Sequence, residues 1–348
     1  MRATLIHGPR DVRLEQVPDP AIQRPTDALV RVVASCVCGS DLWPYRGVRP
    51  TKQPRRIGHE FVGVVEEVGA DVRTLRPGQF VVAPFTVSDG TCAHCRNGVH
   101  TSCVHSSGWG GDDAEGVFTD AGQGEFVRVP LADGTLVAMP GTPDADLLPH
   151  VLTLTDVMGT GHHAALSAGV GPGSTVAVVG DGAVGLCAVI AAKRLGAERV
   201  VALSRHESRQ ALAREFGATD VVAERGDEGA AAVRDLLGGG PDQVLECVGT
   251  KESMQQALDT ARPGGQVGFV GVPAGGPELP VQQMFGTNVG VRGGIAPVRA
   301  YIEELAAEVW SGTIQPGRVF DLVLPLDEVA EAYAAMDERR AIKSMLLP

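Results

Sequence analysis

Short apolar runs separated by glycine and proline turns fill the first part of the chain. The clearest are ALVRVVASCVCG, EFVGVVEEVGADV, QFVVAPF and GEFVRVP. Runs of this length, rich in β-branched residues and bounded by turn residues, are typical of β-strands. The pattern predicts an antiparallel, barrel-like domain over residues 1–150.

A different pattern begins near Val151, where strand-like and helix-like segments alternate. STVAVVG leads into DGAVGLCAVIAAKRLG, ERVVALS leads into RHESRQALAREFG, and PDQVLECVG and QVGFVGVP continue the series. This alternation predicts a doubly wound α/β domain over residues 151–295, with a parallel sheet covered by helices. After Ile295 the chain reads helix, strand, helix, strand, and we expect residues 296–348 to return to the first domain.

Composition narrows the classes of protein and partner. A chain of 348 residues favours about two domains, and its formal charge of −12 argues against a nucleic-acid surface. The N-terminus lacks the apolar core of a secretory signal and no run is long enough to span a bilayer, so we expect a cytoplasmic protein. The seven cysteines, an odd number, suit a reducing compartment. We interpret Cys36, Cys187 and Cys247 as packing residues.

Four metal-binding side chains crowd into the single segment DGTCAHCRNGVHTSC. They are Asp89, Cys92, Cys95 and Cys103. Cysteines separated by two residues let consecutive thiolates reach one tetrahedral centre, which predicts a zinc ion here. A carboxylate is a harder ligand than a thiolate, and His94 and His100 are alternatives in the same loop. We expect this zinc to serve folding and subunit contact rather than chemistry.

A glycine fingerprint for dinucleotides follows the first strand of the α/β region. Gly180, Gly182 and Gly185 form G-x-G-x-x-G, with Ala183 and Val184 opening the helix. The first glycine allows a sharp turn, the second lets the backbone approach a pyrophosphate, and the third allows the helix to pack closely on the strand. The helix N-terminus then faces the phosphate charge.

The end of the next strand bears on which nicotinamide coenzyme binds. NAD-binding domains usually place an acid there for the ribose hydroxyls, but this chain has Ser204, followed by Arg205 and Arg209. Positive charge at this point favours the 2′-phosphate of NADP(H). The alternative is that Ser204 and Glu207 form a capping box and the arginines are solvated.

Two further segments, CVCGSD with Cys38 and IGHEFVGVVEEVG with His59 and Glu60, complete a recognisable set. Together with the four-ligand loop they resemble the zinc-dependent medium-chain alcohol dehydrogenases, and the resemblance covers nearly the whole chain. It implies a GroES-like catalytic domain joined to a Rossmann domain. It also implies that Cys38 and His59 bind a catalytic zinc that Glu60 visits, and that Asp89 replaces the cysteine usual in the family.

The resemblance points to the third catalytic ligand in LTLTDVMGTGHHAA. Relatives use Cys, Glu or Asp at this place, so Asp156 makes a Cys-His-Asp set with Glu60 as a possible fourth ligand. Two alternatives stay open. Asp156 caps the following helix, or one of His162 and His163 ligates instead.

The resemblance also implies roles around the metal. Ser40 matches the position whose hydroxyl passes the alcohol proton outward, although it could instead bond backbone in the CGSD turn. Trp43 replaces the relay histidine of many relatives, which makes it our leading substrate-pocket residue, and Asp41 or Tyr45 are alternative proton exits. Lys343 matches a basic position near the coenzyme phosphates, with a solvated surface lysine as the alternative. The strand near NVGVRGG is expected to pair with its twin in a homodimer or homotetramer.

These patterns predict a dehydrogenase with one catalytic and one structural Zn²⁺. It would transfer a hydride between NADP(H) and a small or medium alcohol, aldehyde or ketone, with zinc as the Lewis acid. The nearest alternative is an NAD-dependent polyol, sugar or threonine dehydrogenase. Others are a zinc-free quinone reductase of the same fold and a nonenzymatic, zinc-stabilised nucleotide sensor.

Overall fold

The computed structural model describes residues 1–48, 51–273 and 278–348. The chain divides into two compact units, unit 1 comprising residues 1–156 and 297–348, and unit 2 comprising residues 157–296. The first boundary therefore falls at Asp156 and not at residue 150. The reason is that the short helix Leu148–Leu152 packs against unit 1, on the strand Ala28–Cys36 and on the turn Pro316–Val319.

The N-terminal part of unit 1 consists of short strands and single-turn helices. Its strands are β1 (Arg2–Gly8), β2 (Asp11–Gln16), β3 (Ala28–Cys36), β4 (Arg55–Arg56), β5 (Phe61–Val68), β6 (Phe80–Ala83), β7 (Phe126–Val129) and β8 (Val137–Ala138). Its helices are α1 (Leu42–Tyr45), α2 (Ala93–Arg96), α3 (Ala132–Thr135) and α4 (Leu148–Leu152).

Unit 2 alternates helices and strands. The helices are α5 (Val157–Ala168), α6 (Ala183–Arg194), α7 (Glu207–Glu215), α8 (Gly226–Leu236), α9 (Lys251–Thr260) and α10 (Val281–Thr287). The strands are β9 (Thr175–Val179), β10 (Arg199–Leu203), β11 (Asp220–Val222), β12 (Gln243–Glu246), β13 (Gln266–Phe269) and β14 (Gly290–Gly293). They form one parallel sheet in the order β11-β10-β9-β12-β13-β14, the arrangement of dinucleotide-binding folds.

Close helix packing in unit 2 depends on glycine. A Cβ on Gly161 of α5 would lie 2.6 Å from the backbone nitrogen of Ala188 in α6. Because only glycine lacks that atom, α5 and α6 approach until their backbones nearly touch. This contact supports the helix that begins at the glycine fingerprint.

The C-terminal segment of unit 1 contains α11 (Ile302–Trp310), β15 (Phe320–Pro325), α12 (Val329–Asp337) and β16 (Lys343–Leu347). β16 pairs with β3, so the end of the chain completes a sheet in the order β15-β16-β3-β5-β6-β8, on which β7 also pairs with β3. A second sheet has the order β2-β1-β4.

The pairing of β3 with β5 determines where the candidate metal ligands lie. The strands are antiparallel, with Ser35 opposite Phe61, and the backbone N–H of Cys36 donates to the carbonyl of Glu60 at 3.2 Å. The residues that follow β3 therefore meet the residues that precede β5 at one edge of the sheet. In the described parts of the chain, no helix has the length and apolar character needed to cross a membrane.

Candidate metal and coenzyme sites

Four side chains of unit 1 converge at this edge of the sheet. The ligand atoms of Cys38, His59, Glu60 and Asp156 all lie within 4.8 Å of one another. Asp156 Oδ2 is 3.7 Å from Cys38 Sγ and 3.7 Å from His59 Nε2. A tetrahedral zinc ion bound at its usual distances keeps its ligands about 3.3–3.8 Å apart, so this donor set fits zinc. Among the described residues, the group includes neither His162 nor His163.

Asp41 orients the histidine of this group. Its Oδ1 lies 3.4 Å from His59 Nδ1, and its Oδ2 accepts the backbone N–H of Cys38 at 3.0 Å. A carboxylate on the far ring nitrogen directs the other nitrogen toward a metal and fixes its tautomer. Asp41 is only 5 % exposed, so its carboxylate is buried beside the candidate ligands.

Glu60 is held by partners on its other side. Its Oε1 accepts a hydrogen bond from Lys343 Nζ at 2.7 Å, and its Oε2 accepts one from the Cys36 thiol at 3.1 Å. His59 Nε2 lies 4.0 Å from Glu60 Oε1. Glu60 is therefore adjacent to the other ligands while its carboxylate is fully hydrogen-bonded within the protein.

The environment of Lys343 contradicts the alternative of a solvated surface lysine. Its side chain is 2 % exposed, so it is not a surface lysine, and its Nζ also donates to the carbonyl of Val37 at 3.1 Å. Both partners belong to unit 1 and neither is a phosphate position of the glycine fingerprint. A buried carboxylate requires a compensating charge, and Lys343 supplies it for Glu60.

The electrostatics of the group favour a cation at its centre. Burial lowers the pKa of His59, but Asp41, Cys38 and Asp156 outweigh burial and raise this pKa well above its ordinary value. Burial raises the pKa of the Cys38 thiol, while the nearby His59 opposes that rise. A divalent metal satisfies the same demand for positive charge and displaces these protons on binding.

Ser40 and Trp43 lie on the segment that follows Cys38. Ser40 is half-buried in a 3-10 turn over Gly39–Asp41, and Trp43 is half-buried in α1. Asp41, and not Ser40, accepts the backbone N–H of Cys38 that closes this turn. The side-chain bond to backbone that was the alternative for Ser40 in this turn is therefore made by Asp41.

The second candidate metal-binding group lies in the loop around α2. Ligand atoms of Asp89, Cys92, Cys95 and Cys103 lie within 4.8 Å of one another, with Cys92 Sγ 3.9 Å from Cys103 Sγ. Backbone N–H groups donate to the sulfurs, as at Cys103 Sγ, which accepts from Asp89 at 3.3 Å. Hydrogen bonds from the backbone of Cys95 and Val104 lower the pKa of Cys92 to about 7, which favours its thiolate. All of the cysteines in the chain are free thiols.

Asp89 completes this group and contacts His105, a residue that no motif had indicated. Its Oδ2 lies 2.7 Å from His105 Nδ1, and its Oδ1 accepts the backbone N–H groups of Thr91 at 2.7 Å and Cys92 at 2.9 Å. These bonds lower the pKa of Asp89 although burial opposes them. Among the described residues, His94 and His100 do not belong to the group.

The glycine fingerprint adopts the geometry that its spacing predicts. Gly180 has φ +119°, and a Cβ on Gly185 would lie 1.9 Å from the carbonyl oxygen of Gly180. A Cβ on Gly182 would meet nothing within 4 Å, so open space lies in front of the N-terminus of α6. A pyrophosphate fits that space, where unpaired backbone N–H groups face outward.

Ser204 lies beside this turn at the end of β10. Its hydroxyl donates to Asp181 Oδ2 at 2.8 Å, and Arg209 Nη1 donates to the Asp181 carbonyl at 3.2 Å. Arg205 is exposed. The capping box considered for Ser204 and Glu207 is wrong, because α7 begins at Glu207 with His206 as its N-cap residue.

Comparison with known proteins decides the family. Residues 24–141 match the alcohol dehydrogenase GroES-like domain, and residues 183–311 match the zinc-binding dehydrogenase domain. The chain is 37 % identical to the probable zinc-binding alcohol dehydrogenase of Mycobacterium tuberculosis, over 97 % of this chain and 86 % of that protein. The chain belongs to the zinc-dependent medium-chain alcohol dehydrogenase family.

Solved structures agree with this family and its fold. Alcohol dehydrogenase TADH from Thermus sp. ATN1 superimposes with a TM-score of 0.90 at 35 % identity, covering 100 % of this chain and 99 % of that one. A zinc-binding dehydrogenase from Sinorhizobium meliloti 1021 bound to NADP gives 0.82 at 28 % identity, covering 100 % and 99 %. The predicted fold class, a GroES-like domain with a Rossmann domain, is confirmed.

For this member of the alcohol dehydrogenase family, the motifs predicted the candidate metal ligands but not the residues that support them. Asp41 follows Cys38 within the CGSD motif, so a signal for it was present. Gln123, whose Nε2 donates to the Cys36 carbonyl at 3.1 Å and whose Oε1 accepts from Tyr333, has no such motif. Asp181 occupies the first variable position of the fingerprint, to which the motif assigns no role.

Proposed function

We propose that this protein is a zinc-dependent dehydrogenase that interconverts small or medium alcohols with aldehydes or ketones, using NADP(H). The main observation behind the proposal is that Cys38 Sγ, His59 Nε2 and Asp156 Oδ2 converge, at distances that suit the ligands of a tetrahedral zinc ion. A zinc ion bound there would act as a Lewis acid on the substrate oxygen.

The residues around the group have distinct tasks in this proposal. Cys38, His59 and Asp156 hold the ion, and Asp41 keeps the His59 ring in its binding orientation. Glu60, paired with Lys343 and Cys36, stays within reach as a fourth ligand. The hydroxyl of Ser40 takes the alcohol proton and passes it outward, and the Trp43 indole shapes the pocket for the carbon skeleton.

The coenzyme part of the proposal rests on unit 2. The fingerprint supplies the pyrophosphate cradle, and a neutral Ser204 with Arg205 and Arg209 nearby supports NADP(H) over NAD(H). The NADP bound to the Sinorhizobium relative supports the same choice.

The remaining parts of the proposal concern folding, assembly and location. The loop of Asp89, Cys92, Cys95 and Cys103 holds a structural zinc. The edge position of β14, with Phe285 86 % exposed and Ile295 69 % exposed nearby, supports pairing of this strand with a second copy in a homodimer or homotetramer. Free thiols throughout support a cytoplasmic location.

One paired assay tests the function. Zinc per chain is measured first, and nicotinamide absorbance is then followed with alcohols, polyols, aldehydes and ketones, each with both coenzymes. We expect two zinc ions and turnover favouring NADP(H). Cys38→Ser should abolish turnover, whereas Cys187→Ala, a buried thiol outside both groups, should retain it. A zinc-loaded protein that binds NADPH but turns over none of these compounds would be the nucleotide sensor instead.

A further inference from the structure

Asp181 lies in the turn of the glycine fingerprint, next to the end of the neighbouring strand. β9 and β10 are parallel neighbours with Val179 opposite Leu203, so the residues that follow them lie side by side. The Asp181 carboxylate contacts the Ser204 hydroxyl at 2.8 Å and Arg209 Nη1 at 3.4 Å, and its side chain is 12 % exposed.

This contact changes what the neutral Ser204 implies about coenzyme preference. In dinucleotide-binding folds an acid at the end of the second strand accepts hydrogen bonds from the adenosine ribose, and its absence favours NADP. Here Ser204 follows the strand, but the Asp181 carboxylate from the neighbouring turn lies against it. Asp181 therefore brings an acid to the end of the strand, although the sequence has no acid at the usual position.

The carboxylate also engages donors that a 2′-phosphate would use. The Ser204 hydroxyl already donates to Asp181, and the charge of Arg209 is offset by the same group. A phosphate carries roughly two negative charges near neutral pH and would meet this carboxylate as a like charge. A free ribose hydroxyl would instead donate a hydrogen bond to it.

We infer that Asp181 is a specificity-determining residue for the coenzyme, which disfavours the 2′-phosphate and limits the preference for NADP(H) that Arg205 and Arg209 create. The inference rests on the proposed binding of a nicotinamide dinucleotide in unit 2. It concerns adenosine recognition alone and requires no step of the dehydrogenase reaction.

Binding of two adenosine ligands without a nicotinamide ring tests this role. The dissociation constants of 5′-AMP and adenosine 2′,5′-bisphosphate are measured by isothermal titration calorimetry on the zinc-loaded protein. In Asp181→Asn, which keeps an acceptor for Ser204, we expect the bisphosphate to bind about tenfold tighter than in the wild type, or about 1.4 kcal/mol. The affinity for 5′-AMP should stay the same or weaken.

Asp220→Asn is the matched control. It removes one acid paired with Arg199 at 2.9 Å. Asp220 begins β11 opposite Val201, whereas Ser204 follows the far end of the neighbouring β10. The ratio of the two affinities should not change in this variant. If Asp181→Asn melts early, Asp181→Ser provides a second uncharged side chain for the same measurement.

An unchanged ratio in folded Asp181→Asn would overturn the inference, and a ratio shifted toward 5′-AMP would show that Asp181 positions Arg209 for the phosphate. Failure of the folded wild-type protein to bind either ligand would also overturn it. The proposed dehydrogenase function fails separately, through absence of turnover with any alcohol or carbonyl compound.

Discussion

Lys343 Nζ lies 2.7 Å from Glu60 Oε1, and both side chains are withdrawn from solvent. The two residues are 283 positions apart and meet because β16 pairs with β3. The pair fixes the Glu60 carboxylate beside the candidate catalytic metal ligands. Through this pair, the C-terminal segment of unit 1 contacts the candidate metal group.

Replacing Lys343 with methionine should destabilise the protein strongly. The substitution leaves the Glu60 carboxylate buried without its counter-charge, which typically costs about 3–5 kcal/mol. Urea unfolding of the holoprotein measures this loss. The double variant Lys343→Met with Glu60→Gln should recover most of it, since no unpaired charge remains. A single variant as stable as the wild type would contradict the pairing.

Substitutions at two glycines of the fingerprint should distinguish an effect on stability from an effect on coenzyme affinity. Gly185→Ala places a methyl group against the Gly180 carbonyl and should lower both stability and coenzyme affinity. Gly182→Ala meets nothing in the protein, so its melting temperature should match the wild type while its affinity for NADPH falls at least about tenfold, since the methyl takes the space of the pyrophosphate. Fluorescence titration and thermal melting measure both. Retained affinity in Gly182→Ala would argue against pyrophosphate binding at this turn.

Asp89→Ala should remove one zinc ion per chain and leave the other. The loss should lower the melting temperature by about 5 °C or more, because roughly 2–4 °C accompanies each kcal/mol in a domain of this size and structural zinc contributes folding free energy directly. Asp89→Cys should retain the ion. Asp71→Ala, an exposed acid on unit 1, serves as the control. Full zinc content in Asp89→Ala would show that the three cysteines suffice.

His150 should make stability depend on pH. Burial, with a smaller contribution from Arg318, lowers the pKa of His150 below its ordinary value of 6.5, and its Nδ1 accepts the backbone N–H of Gly317 at 2.8 Å. The unfolded chain therefore binds this proton more readily than the folded chain. Its contribution to stability is complete above about pH 6.5 and is lost as pH falls through the folded-state pKa.

His150→Asn offers an acceptor that does not titrate, so it isolates this contribution. Urea unfolding between about pH 8 and pH 5 should show the wild type losing more stability than the variant on acidification. Parallel curves would exclude His150 as a source of the pH dependence.

Asp156 can be tested against the role of helix cap. Asp156→Ala should lower zinc occupancy at the catalytic group, while Asp156→Cys should preserve zinc because relatives use cysteine at this place. If Asp156 served only as a helix cap, Asp156→Ala would retain zinc. The substitution would then lower only the free energy of unfolding, by about 1 kcal/mol. Metal analysis with thermal melting separates the two.

The sequence pattern predicted the strands and helices well, because residues close together in the chain determine these elements. Alternating valines identify β3 and β5, and the fingerprint marks the turn between β9 and α6, where chain neighbours determine the structure. Family motifs predicted that Cys38, His59 and Asp156 would act together. Periodicity alone could not, since Cys38 and His59 meet only through the antiparallel register of β3 and β5, and Asp156 reaches them from a distant segment.

The supporting contacts lay beyond sequence reasoning for a physical reason. Lys343 looked like a surface or phosphate-binding residue because nothing near it in the chain shows that β16 places it beside Glu60. The sequence gives Asp181 no role because its partner Ser204 follows only after the helix α6 and the strand β10. Side-chain contacts between distant elements depend on packing that composition and spacing do not encode.

Anomalous X-ray diffraction at the zinc edge, from crystals of the zinc-loaded protein, tests the central claim most directly. We expect an anomalous peak about 2.0–2.3 Å from both Cys38 Sγ and His59 Nε2, with Asp156 as a further ligand. A second peak should lie among Asp89, Cys92, Cys95 and Cys103. A map with zinc at the second group but no peak between Cys38 and His59 would contradict the account.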